Sequence, residues 1–153
     1  MVQHWICDTC RQTINSPQDG WVEWTTIPST GRTHIVREKR IVHYRTASPY
    51  GPDGSCQFDE AYEFANGEGI VAGRSLQEYI GPDGLMKLIA DAADPVFQHI
   101  DMMEMISRIQ VPSYDRTKGH FAKAMAEGVI ESKLPKGYYS QEEIQAVLAH
   151  YNL

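Results

Sequence analysis

The sequence has 153 residues, of which 42% are apolar, and a formal net charge of −6, which is typical of a folded protein and argues against intrinsic disorder. It has no run of about 18 apolar residues, the length that a membrane-spanning helix needs, and it does not begin with the charged and then apolar pattern of a secretory signal peptide. We therefore expect a soluble cytoplasmic protein, in which the three cysteines do not form a disulfide framework.

Charge and composition change near residue 60. Residues 1–58 contain six lysines and arginines against five acidic residues, whereas residues 59–153 contain eight against fifteen. All three tryptophans precede this point, and the methionine-rich segments follow it. The change predicts a zinc-binding β unit over residues 1–60 and a helical region over residues 61–153, packed together as one body.

The first part of the chain has the composition of short strands. Residues 21–27 are rich in aromatic and β-branched side chains and lead into the turn-forming residues 28–31. Residues 33–36 and 41–44 predict two further short strands, joined by a charged turn. We expect these strands to form a small antiparallel sheet.

The second part of the chain predicts about four α-helices. Apolar residues recur at helical spacing within residues 85–92, 96–106, 114–127 and 144–151. Ser75 with Glu78, and Ser140 with Glu143, have the spacing of capping boxes, and Asp94 before a proline is a further start signal. The chain as a whole is therefore predicted to be an α+β protein.

One pair of cysteines has the spacing of a metal site. Cys7 and Cys10 are separated by two residues, which lets both thiolates bind the same ion. We predict His43 and Cys56 as the other ligands, with intervals of 2, 32 and 12 intervening residues along the chain. Zn²⁺ is the expected ion, because a structural zinc site can supply roughly 10–16 kcal/mol to the folding of a small β unit.

The arrangement of a cysteine pair, a small antiparallel sheet and a returning ligand pair resembles a zinc ribbon over about the first 58 residues. The resemblance implies a structural zinc ion. The sequence departs from the ribbon pattern in two places. Arg11 stands where a ribbon has glycine after the first pair, and His43 and Cys56 are separated by a long loop rather than by two residues. A different zinc-finger geometry is therefore open for the second half of the site.

The same residues allow alternatives to this ligand set. The cysteines can be free structural thiols, and Cys7 with Cys10 has the spacing of a thioredoxin-like redox pair. That redox motif follows a core strand and opens a long helix, but only six residues precede Cys7 and a proline soon follows the pair. For the histidine ligand, His34 and His4 are alternatives to His43.

The glycine-rich residues 67–75 are a candidate for a second binding site. They precede a predicted helix, as phosphate-binding loops do, but Glu68 and Arg74 stand where a P-loop has glycine and lysine. Arg74 and Ser75 can still bind an anion through the guanidinium group and the free amides at the helix start. The segment therefore predicts either an ordinary connection or a site for a nucleotide-like or other anionic ligand.

A basic strip in the β unit is the candidate for nucleic-acid contact. Its members lie within fourteen positions and are Arg32, Arg37, Lys39, Arg40 and Arg45. Such a strip can bind phosphates, although the acidic remainder of the chain would repel a duplex. A solvated hairpin is the alternative interpretation.

The sequence contains no motif of a metalloprotease, an α/β-hydrolase or a cysteine protease. Four protein ligands close the coordination sphere of a zinc ion, whereas a catalytic zinc keeps one position for water. We therefore favour a non-enzymatic interaction or regulatory protein, whose partner is another protein that contacts the tryptophan-bearing β unit and an acidic helical face. The alternatives are a binder of anionic ligands and a zinc-dependent enzyme.

Overall fold

The computed structural model of the protein describes residues 3–29, 31–51, 56–97 and 99–153. Within these residues the chain forms two small antiparallel sheets and a set of short helices, so the predicted α+β class is confirmed. The first sheet pairs β1 (Trp5–Ile6) with β2 (Thr13–Ile14). The second consists of β3 (Gly20–Ser29), β4 (Arg32–His43) and β5 (Ile70–Ser75), with β3 in the middle.

A long hairpin of β3 and β4 forms most of the second sheet, and its register places Gly20 opposite His43. The prediction of two short strands joined by a turn is wrong here, because β4 is continuous through the charged residues between them. The hairpin changes register beside Thr25, whose Oγ1 accepts a hydrogen bond from the backbone N–H of Arg37 at 3.0 Å. A bulge of this kind lets a long strand bend without ending.

The third strand, β5, lies within the glycine-rich segment for which the sequence predicts a connection or an anion-binding loop. It pairs with β3 along its whole length, with Ser75 opposite Trp21. A Cβ atom on Gly73 would lie 2.3 Å from Nε1 of Trp21, so glycine is needed for the indole to pack against the strand. The second sheet thus includes residues from both sides of residue 60.

Six α-helices follow the hairpin within the described residues. They are α1 (Glu60–Ala65), α2 (Gly81–Ala93), α3 (His99–Gln110), α4 (Tyr114–Thr117), α5 (Phe121–Ala126) and α6 (Gln141–Tyr151). The single helix predicted over residues 114–127 is divided by a 3₁₀ turn that contains Gly119, a residue of low helix propensity. In the parts of the chain that the structure describes, no helix combines the length and the apolar character that crossing a membrane requires.

The capping signals in the sequence mark the start of one helix correctly and that of another incorrectly. At the start of α6, Ser140 Oγ accepts a hydrogen bond from the N–H of Glu143, and the Glu143 carboxylate accepts one from the N–H of Ser140, so that capping box is confirmed. Asp94 instead accepts from the N–H of Val96 at 2.9 Å and closes a local turn, and α3 begins only at His99. Such a local side-chain bond competes with helix formation.

Two apolar cores hold these elements together. The first is shared by the sheets, α2 and α3, and its fully buried members include Trp5, Val22, Ile41, Leu88 and Ile109. The second lies around α5 and α6 and contains Phe121, Ala124, Ile130, Ile144 and Val147. The β unit therefore packs directly on the helices that follow it.

All three tryptophans contribute to the first core. Trp5 is only 2% exposed, Trp21 and Trp24 are half-buried, and Trp24 meets Phe97 edge to face with ring centroids 5.8 Å apart. The expectation of an exposed tryptophan-bearing surface is therefore wrong for Trp5, whose indole is part of the first core.

Candidate metal centre

Cys7 and Cys10 lie in a tight turn between β1 and β2. The backbone N–H of Arg11 donates to the carbonyl of Cys7 at 2.9 Å, and the N–H of Cys7 donates to the carbonyl of Gln12 at 2.9 Å. Arg11 has φ 64, so the arginine adopts the left-handed conformation for which glycine is the default residue. The turn thereby forms without the glycine that a zinc ribbon has at this position.

His43, the last residue of β4, contacts this turn through the nitrogens of its imidazole. Its Nε2 lies 3.1 Å from the carbonyl oxygen of Thr13, and a carbonyl can only accept a hydrogen bond. The proton therefore belongs on Nε2, which leaves the lone pair of Nδ1 free to bind a metal. A backbone carbonyl that orients a histidine in this way is common around metal ligands.

The four predicted ligands meet at one point of the fold. His43 Nδ1 lies 3.4 Å from Cys10 Sγ and 3.9 Å from Cys56 Sγ, and all four ligand atoms, including Cys7 Sγ, lie within 4.8 Å of one another. Tetrahedral zinc separates a nitrogen and a sulfur ligand by about 3.5 Å and two sulfurs by about 3.8 Å. The cluster is therefore close enough to bind one metal ion, and neither His34 nor His4 belongs to it.

Cys56 reaches the cluster from the far side of the long loop and is held by three neighbours. Ser48 Oγ lies 3.3 Å from its Sγ. Its carbonyl oxygen accepts hydrogen bonds from Thr9 Oγ1 at 2.6 Å and from the Arg40 guanidinium at 3.1 Å. Thr9 belongs to the first cysteine turn, so its hydroxyl joins that turn directly to the backbone of Cys56.

A buried ion pair supports the chain just beyond Cys56. The carboxylate of Glu23, in the central strand β3, accepts hydrogen bonds from Arg40 and from the backbone N–H of Phe58 at 2.9 Å. The Arg40 guanidinium also stacks over the Phe58 ring, 3.6 Å from its centroid. Burial raises the pKa of Glu23, and the charge of Arg40 opposes that rise. This contact fixes the position at which the loop returns to the sheet.

A second buried cation joins the cysteine turn to the helices. Arg108 of α3 binds both carboxylate oxygens of Asp8, at 2.8 and 3.0 Å, and also binds Asp115 at 2.5 Å. Asp8 in turn accepts the N–H of Ile41 at 2.8 Å. Burial alone would lower the pKa of Arg108, but the carboxylates of Asp115 and Asp8 outweigh it and raise that pKa. The turn is thus anchored to α3 and α4.

Burial in the cluster disfavours the charged thiolate form of Cys10 and Cys56. Burial raises the pKa of Cys56 to about 11, and the neighbouring thiols Cys7 and Cys10 add to that rise. Burial also raises the pKa of Cys10, against the effect of the Gln12 backbone N–H. Because a metal binds thiolates, binding must displace these protons.

The four clustered residues were predictable from their sequence, but the residues that orient them were not. Asp8, Glu23 and Arg108 are ordinary charged residues in sequence, and nothing in their spacing relates Asp8 to an arginine one hundred positions away. Asp8 did carry one local signal, since it lies between the two cysteines. The carbonyl of Thr13 carried none, because any residue supplies a carbonyl.

The other candidate site residues lie elsewhere. Arg74 is in β5, half exposed, with its guanidinium 3.7 Å from Glu78, and Ser75 Oγ accepts the N–H of Gln77 at 3.3 Å in a 3₁₀ turn. An anion site at Arg74 and Ser75 stays a prediction.

Three members of the basic strip are paired within the protein. Arg37 binds Glu63 at 2.8 Å, Arg40 binds Glu23 at 2.6 Å, and Lys39 binds Asp91 at 2.8 Å. The side chain of Arg32 lies outside the described residues. The guanidinium of Arg45 has no ion pair among the residues that the structure describes. Nucleic-acid contact through this strip stays a prediction.

No protein-family model, no curated protein and no solved structure matches the chain.

Proposed function

We propose that the chain is a zinc-binding interaction or regulatory protein in which Zn²⁺ is structural. The observation that carries the proposal is the cluster of three thiols and one imidazole, whose ligand atoms all lie within 4.8 Å. Sulfur and nitrogen donors in a set of four are the ligands that structural zinc sites use. Soft thiolates also disfavour Mg²⁺ and Ca²⁺, which prefer oxygen ligands.

A structural role is favoured over a catalytic one by burial and by the number of ligands. Cys7 and Cys56 are 0% exposed and His43 is 6% exposed, so the ion would lie inside the first core with four protein ligands around it. A catalytic zinc keeps a coordination position for water or substrate. The ion would stabilise the junction of β1, β4 and the long loop, which is too small to hold that geometry by burial alone.

The interaction role is supported by apolar side chains that the fold leaves in solvent beside the β unit. Tyr62 and Phe64 of α1 are 61% and 70% exposed, and Ile70 of β5 is 52% exposed. Helix α1 packs against β5, so these side chains lie on neighbouring elements. Exposed large apolar side chains on neighbouring elements are typical of surfaces that contact another protein.

The metal can be tested with the purified protein. We expect about one equivalent of zinc by elemental analysis, and we expect Co²⁺ that replaces it to give the intense charge-transfer absorption of thiolate ligands. Added azide should leave the Co²⁺ spectrum unchanged, because no coordination position is open. A folded protein that contains no metal would refute the proposal, and a spectrum that changes with azide would favour the zinc-dependent enzyme instead.

The interaction surface can be tested separately by placing a photo-crosslinking amino acid at Phe64. We expect this position to crosslink to a discrete protein in cells. The matched control is the same substitution at Leu134, which is 90% exposed but lies far along the chain from α1. Equal crosslinking at both positions, or none at Phe64, would refute an interaction surface on α1 and β5.

A further inference from the structure

A cavity of about 460 Å³ lies between the cysteine turn and the segment that joins α4 to α5. Its wall includes residues from both sides, Asp8 and Arg11 from the turn and Arg116, Lys118 and His120 from the segment. This volume accommodates a small ligand. The cavity is separate from the metal cluster, whose four ligands do not line it.

The carboxylates of the cavity are already matched by cations within the protein. Asp8 and Asp115 share the buried guanidinium of Arg108, and Glu104 binds Lys118 Nζ at 3.2 Å and accepts the hydroxyl proton of Tyr114 at 3.0 Å. These acidic groups are therefore not free to bind a cation.

Two arginines that line the cavity, unlike these carboxylates, have no close partner of opposite charge among the described residues. Arg116 lines the cavity, and its side chain forms no ion pair or hydrogen bond within the described parts of the chain. Arg11 is 76% exposed and has only a distant contact with Asp8, at 3.9 Å. The lining as a whole has four basic side chains against three carboxylates, although the chain carries a net charge of −6. The cavity is thus a locally positive site on an acidic protein.

The backbone is in an unfavourable conformation at Arg11, which lines the cavity, and at Ser113, which precedes the lining residue Tyr114. Arg11 has φ 64, and Ser113, which precedes α4, has φ 62. A non-glycine residue in this region costs of order 1 kcal/mol or more. Glycine at position 11 would avoid that cost. The residue there is instead an arginine that lines the cavity.

A buried polar atom adjoins the same wall. His120 lines the cavity, and its Nδ1 is buried with no hydrogen-bond partner among the described residues. Buried polar atoms are nearly always paired, so His120 is a lining residue with a polar atom that is unmatched in the described part of the chain. The ring itself is held by stacking against Tyr151, with centroids 5.3 Å apart.

We propose that this cavity binds a phosphate-bearing ligand, with Arg11 and Arg116 as its principal contacts and Lys118 and His120 beside them. Arginine is suited to this role because its planar guanidinium presents paired donors to phosphate oxygens. The site goes beyond the metal centre and does not depend on which ion the cysteines bind.

The test is a titration of the protein as purified with inorganic phosphate, followed by amide NMR at constant ionic strength. We expect saturable shifts near Arg11 and in residues 116–120, and at least about fivefold weaker binding in Arg116→Gln and in Arg11→Gly. The control is Lys136→Gln, which removes an exposed cation that does not line the cavity and should leave the affinity unchanged. Comparison of the free spectra verifies that each variant is folded.

Three outcomes would overturn the proposal. The first is the absence of saturable shifts at these residues, and the second is binding that Arg116→Gln and Arg11→Gly leave unchanged. The third is an equal response to acetate at the same concentration, since a site that does not prefer phosphate to a carboxylate is not a phosphate site.

Discussion

Lys39 Nζ lies 3.6 Å from the centroid of the Trp24 ring and is held there by the ion pair with Asp91. The ring of Phe97 lies close by, at 4.3 Å, and the Lys39 side chain is only 2% exposed. Burial lowers the pKa of Lys39, and the hydrogen bond to Asp91 opposes that change. The sequence predicts Lys39 to be a solvated charge, but in the fold it joins β4 to α2.

Replacing Lys39 with Met should destabilise the protein by about 2 kcal/mol. The change removes the cation from the aromatic rings and leaves Asp91 without its partner, but Asp91 is 28% exposed and can be solvated in part. Urea unfolding measures the effect. Arg45→Met, at an exposed residue of the same basic strip, should stay within about 0.5 kcal/mol. Equal effects of the two changes would show that the aromatic contact contributes nothing.

The cluster of three cysteines and one histidine was predictable from the sequence, whereas many of the contacts that hold it were not. Two cysteines separated by two residues are typical of a metal site, so a short segment of sequence was enough to single out Cys7 and Cys10. The charged residues Arg37, Lys39 and Arg40 predict a turn or a binding strip. In the fold each one pairs with a carboxylate from another element, and long-range pairing of this kind leaves no periodic pattern.

The same limit applies to β5. Its glycines suggest a loop, because the sequence cannot reveal that Trp21 packs on Gly73. The helix pattern was more reliable in α6, where the capping box and the apolar spacing lie within one short segment.

Replacing Gly73 with Ala should destabilise the protein by roughly 1–3 kcal/mol, because the new methyl group would overlap the Trp21 indole and force it from the strand. Tryptophan fluorescence and thermal unfolding measure this. Gly119→Ala is the matched control, since a Cβ atom there meets nothing within 4 Å, and it should be neutral or stabilising by up to about 1 kcal/mol. A neutral Gly73→Ala would mean that the indole does not depend on the glycine.

His43→Ala should release the metal and lower the melting temperature, because it removes one of four ligands and the contact to the Thr13 carbonyl. His34→Ala removes an exposed histidine of the same strand and should change neither. Metal content after dialysis and calorimetry give the comparison. If His43→Ala keeps its metal and its melting temperature, His43 is not a ligand.

Arg11 offers a test of the cysteine turn that separates backbone from side chain. Arg11→Gly should keep the metal and change stability by less than about 1 kcal/mol, because relief of the left-handed backbone offsets the greater freedom of glycine in the unfolded chain. Arg11→Pro should lose the metal, since proline cannot adopt φ 64 and has no N–H to donate to Cys7. A proline variant that binds metal normally would show that the turn is not required.

Metal affinity should rise steeply with pH, because the thiols must lose their protons on binding. Burial raises the pKa of Cys56 to about 11, and three thiolate ligands imply that about three protons are released below neutral pH. Competition with a chelator at several pH values between about 6 and 8 should therefore give a slope approaching three in the logarithm of affinity. A slope near one would show that a single thiol binds.

The stability of the metal-free protein should fall as the pH rises, whereas the metal affinity should increase. Its folded state holds the Cys56 proton more tightly than the unfolded chain does, since the pKa is raised from 9.0 to about 11. The resulting stabilisation is complete below pH 9.0 and is lost as the pH rises towards 11. Urea unfolding of chelator-treated protein across this range should show the loss, and Cys56→Ala should reduce it. If the metal-free protein instead gains stability over the same range, Cys56 is ionised in the fold and the buried, protonated thiol is excluded.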